Sequence, residues 1–156
     1  NTFKRSGAAL ISLVLLLVLA VSAGAASSQN VGVKFWKERS DKESMANSGI
    51  DPDRTATLTR QANGTYTLTL PVTQVSKLGV TGYLSGLTIG DVTYDGTLTG
   101  DFNKATAVLT IKNLPASVLT GSDVNKSVLV TCNIQMDLQV LGEINTSARM
   151  CIWNQK

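Results

Sequence analysis

The sequence predicts an all-β domain, an antiparallel, immunoglobulin-like β-sandwich of about seven or eight strands that follows a signal peptide. Three observations point there. Apolar residues recur at every second position in several segments, as in strands with one buried face. Turn signals punctuate the chain at the short spacing of sandwich proteins, and no segment after residue 26 shows the apolar period of an amphipathic helix.

The elements follow in order. Lys4 and Arg5 precede a nearly unbroken apolar run from Ala8 to Val21, and small residues then fill Ser22 to Ala26. That is the layout of a signal peptide, read here with cleavage after Ala26; the alternative is an uncleaved membrane anchor. Residues 27–156 form one domain, enough chain for a single core. Val31 to Trp36 alternates Val33 and Phe35 against Lys34 and Trp36 and opens it as a strand. The polar stretch from Ser40 to Asp53 reads as a loop holding one short helical turn. Thr55 to Arg60 and Thr65 to Leu70 make a hairpin around Asn63-Gly64. Gly82, Gly86, Gly90, Gly96 and Gly100 read as tight turns between short strands. Ala105 to Lys112 turns Ala107, Leu109 and Ile111 to one side, and Asn113-Leu114-Pro115 ends it. Last comes a hairpin whose first strand sets Val128, Val130, Cys132, Ile134, Met136, Leu138 and Val140 on one face, with Ala148 to Trp153 returning.

Charge and residue types narrow the function. Of 14 basic and 11 acidic residues, two basic and no acidic ones lie in residues 1–26, so the remaining domain is near neutral. With no Lys/Arg stripe interleaved with aromatics, a nucleic-acid partner is not expected. The chain has no His, which removes Ser-His and Cys-His catalysis and His-bearing zinc or haem sites. No phosphate loop or dinucleotide fingerprint occurs either. The expectation is a binding domain, not an enzyme. Asp51-Pro52-Asp53, Gly90-Asp91 and Gly100-Asp101 carry oxygen ligands but match no calcium loop, so no metal site is expected. The Tyr and Trp side chains read as core or edge residues.

Cys132 and Cys151 are the only thiols. A turn near Leu141-Gly142 would set them opposite each other, and an exported chain meets disulfide-permissive conditions, so a cross-strand bridge is expected. Two buried free thiols are the alternative.

The Trp-bearing first strand, the charged turn after it and then Ser44-Met45-Ala46-Asn47 resemble the opening of a NEAT (near-iron-transporter) domain, the haem-binding sandwich of Gram-positive cell surfaces. Tyr66 to Leu70, Gly82-Tyr83-Leu84 and Ala148 to Trp153 resemble later strands of that family, so the resemblance spans roughly residues 31–153. It implies haem as ligand, Ser44 on a propionate and Met45 on the ring; as residues alone, these are a turn cap and an inward-packed Met. The family's iron ligand is the first Tyr of a Tyr-x-x-x-Tyr on the final strand, and Gly142 to Trp153 contains no Tyr. Met136 and Met150 offer a thioether instead, although Met on an apolar hairpin face is ordinarily core. The resulting expectation is a secreted or surface-exposed domain that binds haem or a haemoprotein for iron acquisition. It would meet a membrane only through the N-terminal segment if that is uncleaved. The alternative is a structural or adhesive surface module that holds a surface or host protein and has no small-molecule site.

Overall fold

A computed structural model of the chain describes residues 27–77, 79–137 and 142–155. The signal-peptide reading of residues 1–26 lies outside them, as do Leu138 and Val140. The described residues form nine strands: β1 (Ser27–Lys37), β2 (Ala56–Arg60), β3 (Tyr66–Pro71), β4 (Val75–Lys77), β5 (Val80–Ile89), β6 (Val92–Thr99), β7 (Val108–Leu114), β8 (Val128–Met136) and β9 (Glu143–Asn154). Only short 3-10 turns join them. The expected antiparallel sandwich-like, all-β architecture is what forms.

All pairings are antiparallel. The strands run in the order β4-β5-β6-β7-β3-β2-β1-β9-β8, and β8 also bonds to β5, so the sheet closes on itself around one core. Closure removes the unpaired edges that a sandwich otherwise exposes. Inward positions of each strand meet in that core: Phe35 of β1, Leu58 of β2, Leu68 of β3, Leu109 and Ile111 of β7, and Met150 and Ile152 of β9 are all essentially inaccessible. The alternation seen in β3 and β7 thus marks the buried face, as expected.

The glycine-rich stretch departs from expectation. It forms two long strands, of 10 and 8 residues, joined by one turn at Gly90-Asp91. Gly82, Gly86 and Gly96 lie inside those strands, where they admit close neighbours instead of making turns. A Cβ on Gly86 would sit 2.5 Å from the Tyr94 carbonyl oxygen, and one on Gly96 would meet Leu109 at 2.4 Å.

Two irregularities complete the closure. Leu84 pairs with Ile134 but Gly86 with Asn133, so Ser85 is an extra residue in β5. Such a bulge reverses the side-chain alternation, and Leu84 and Leu87 therefore both face the core. The Ser85 hydroxyl donates to the Asn133 carbonyl at 3.1 Å, and the Asn133 amide donates to Thr88 Oγ1 at 3.2 Å. In β7 the pairing shifts by one residue next to Asn113, whose φ of 65° is left-handed, a conformation Asn tolerates better than most residues.

Gly86→Ala forces a Cβ against backbone that cannot move without breaking the β5–β6 pairing. It should destabilise the fold by about 1–3 kcal/mol, read as a lower urea midpoint with unchanged slope; wild-type stability would mean the strands are not this close.

Candidate functional site

The turn between β1 and β2 shows why Ser-Met-Ala-Asn folds as it does. Ser44 caps a 3-10 turn, Met45–Gly49, by accepting from the Ala46 amide at 3.2 Å. Ala46 is buried beneath it. The Asn47 side chain imitates a strand partner: its Oδ1 accepts from the Phe35 amide at 2.9 Å while its Nδ2 donates to the Phe35 carbonyl at 2.7 Å. The turn is thereby fastened to β1. Met45, with no such duty, stands 67 % exposed.

Charged groups hold the flanks of this segment. On the N-terminal side, Arg149 of β9 donates to the Lys37 and Ser40 carbonyls at 3.0 and 2.7 Å and to Asp41 at 2.8 Å. On the C-terminal side, buried Asp51 accepts from Arg54 Nε at 2.8 Å and from the Asp53 amide at 2.9 Å. Arg54 reaches on to the Ala107 carbonyl at 2.7 Å. The Arg54 hydrogen bond, then the Asp53 amide, hold the Asp51 carboxyl below its ordinary pKa of 3.8, with burial opposing them.

The turn forms one wall of a groove of about 200 Å³. Met45 and Ala46 line it from the turn, Val75 from β4, Ile134 and Met136 from β8, and Ile144 and Thr146 from β9. Ile134 and Ile144 are direct cross-strand partners. Met136 pairs with Gly82, where a Cβ would lie 2.6 Å from its sulfur, so the missing side chain makes room for the thioether. Hydroxyls of Ser44, Ser48, Ser76 and Ser147 edge the groove, with Lys37 and Glu38 also on it. The lining is mainly aliphatic and thioether, with a polar border.

Of the expected site residues, Ser44, Met45 and Met136 come together in this groove. Met150 does not. It is fully buried in the core, paired with Phe35 and Val128, because its place in β9 turns it inward. Ile144 and Thr146 escape sequence reasoning that starts the return strand at Ala148; the alternation Ile144, Thr146, Ala148 is the signal that extends it back to Glu143.

The expected Cys132–Cys151 bridge is not formed; both thiols are free and buried. The hairpin register sets Cys132 opposite Thr146, five residues short of Cys151. The parity differs too. Cys132 belongs to the core, whereas Cys151 alternates with the core residues Met150 and Ile152 and faces the other side, its Sγ 3.5 Å from the Asp123 carbonyl. Burial pushes the Cys132 thiol up to about 12, which keeps it protonated and unreactive.

No known protein family matches the sequence, and no curated protein does. Solved structures do share the fold. One is the NEAT5 domain of IsdX2, a B. anthracis hemophore, in complex with heme: TM-score 0.52 and 12% identity over 85% of this chain and 99% of that one. Another is the Q29T mutant of that domain with heme, at TM-score 0.51 and 12% identity over 85% and 98%. The fold is NEAT-like. At this identity the likeness concerns the fold alone.

Two outcomes check this subsection. Without reductant, thiol titration should find both cysteines free after unfolding and neither reactive in the native protein; a mass 2 Da below the fully reduced value would mean a bridge. Asp51 has a depressed folded pKa, so its contribution is complete above 3.8 and is lost as pH falls through the lower folded value. Asp51→Asn should therefore be less stable than wild type at neutral pH, with the gap narrowing in acid; a gap constant with pH contradicts the ion pair.

Proposed function

We propose that the chain is a binding domain, acting outside the cell or on its surface, that takes a flat and largely apolar ligand, haem first among them, into the groove beside the Ser44–Met45 turn. The carrying observation is that a capped, stapled turn and the β8–β9 hairpin bound one groove, lined by Met45, Ile134, Met136 and Ile144. Support for haem comes from the NEAT-like fold, since the neighbours named above were solved with heme. Support for a place outside the cell comes from the leader-like residues 1–26.

The groove's residues suit a porphyrin in two respects. The aliphatic walls would exclude water from a ring face, the main source of affinity for a ligand of this kind. Ser44 uses one lone pair for the Ala46 amide and keeps its O–H to donate, and the neighbouring serine hydroxyls and the Lys37 ammonium suit carboxylates. No Tyr or His lies along this lining. The groove is also smaller than the roughly 300–1,000 Å³ of pockets that engulf a ligand, so a flat molecule would lie with one side open. Bound haem would supply its iron for carriage, and the chain's own part is to hold, orient and shield the ring.

The groove's lack of Tyr favours a second reading, an adhesive module that meets a surface or host protein. One titration separates them. Hemin added to the purified protein should give a shifted Soret band, and Ile144→Glu, which puts a carboxylate between the walls, should weaken binding by about tenfold or more. Absence of a shift at slight excess of protein, or equal binding by the variant, removes the haem reading.

A further inference from the structure

The chain has three methionines. Met150 is spent in the core, and the other two line the groove from different elements, Met45 from the 3-10 turn and Met136 from the end of β8. These thioethers are the soft donors of the lining, which holds no Cys, His or Tyr.

Met45 is the more telling of the two. Ser44 is capped, Ala46 is buried and Asn47 is stapled to β1, so the backbone at Met45 is fixed on both sides. Yet its side chain packs on little and is the one large, well-exposed hydrophobic residue on this groove. A purely structural Met would be buried. A rigid backbone that presents a flexible sulfur to an apolar groove is the arrangement of a ligand-contacting residue. Met136 is placed differently, buried with its sulfur against Gly82, where a side chain larger than hydrogen would displace it.

We infer that Met45 Sδ ligates the iron of haem held in this groove, with Met136 Sδ as the second donor, in place of an oxygen or nitrogen ligand. The inference rests on the haem reading above and adds the chemistry of the bond. A neutral thioether donates no negative charge to the metal, and Met ligation raises the potential of haem iron, so the site would favour the ferrous state relative to one with an anionic ligand. Binding would also depend on the metal: hemin should bind more tightly than iron-free protoporphyrin, whereas a groove that grips only the ring faces would treat them alike.

The test compares hemin and iron-free protoporphyrin on the purified protein and on Met45→Leu and Met136→Leu, substitutions that keep apolar bulk and remove sulfur. The unaltered chain should prefer hemin by about tenfold or more. Met45→Leu should abolish that preference, shift the absorption bands of the reduced complex and lower its midpoint potential. Met136→Leu should also shift the bands. If hemin binds and Met45→Leu leaves preference, spectrum and potential unchanged, the ligand assignment falls while the haem reading stands. If Met136→Leu alone leaves the spectrum unchanged, Met136 is not the second donor. If hemin does not bind the unaltered chain, both fall together.

Discussion

Closure of the sheet between β5 and β8 is the constraint from which the rest of the molecule follows. Eight strands can be laid side by side by local hairpins and modest crossovers, but the first and last must still meet, and here they meet only because β5 carries an extra residue at Ser85 and lacks side chains at Gly82 and Gly86. The bulge turns Leu84 and Leu87 to the same side and lets one strand serve the core along its whole length. The absent side chain at Gly82 brings Met136 against β5. Core and groove are thus settled by one seam.

The two walls of the groove have different origins. The turn wall is local: Ser44, Ala46 and Asn47 each have a task that a tetrapeptide can specify, and their hydrogen bonds reach no further than β1. The hairpin wall is non-local, since Ile134, Met136, Ile144 and Thr146 line it only in the register that β8 and β9 adopt. Arg149 links the two, standing on β9 and holding the carbonyls of the loop that leads into the turn. Surface ion pairs such as that of Arg149 with Asp41 contribute little by themselves; the backbone bonds matter here because they orient the loop.

That division explains what could be read from the chain. Period-two alternation revealed β1, β2, β3, β7 and β8 because each has one face in the core, and the Ser-Met-Ala-Asn turn was visible because its chemistry is contained in its four residues. Hairpin register was not. A turn assumed near Leu141-Gly142 put Cys151 opposite Cys132, whereas the pairing runs five residues away from that. The in-strand glycines misled for a related reason: Gly serves both a turn and a close crossing of strands, and only the partner, such as the Tyr94 carbonyl beside Gly86, tells which. Met150 was assigned to the ligand set because parity in β9 could not be counted before its start was known.

The separation of the two thiols carries a consequence for how the chain can mature. Cys132 and Cys151 lie on opposite faces of the sheet, with the β9 backbone and its core neighbours between them. An oxidant can join them only in a molecule that has lost this register, so a bridge would trap a misfolded chain and not secure the native one. The native fold neither gains from an oxidising environment nor loses from a reducing one. A cell could hold the chain with its thiols reduced, move it and let it fold on either side of a membrane without calling on thiol exchange.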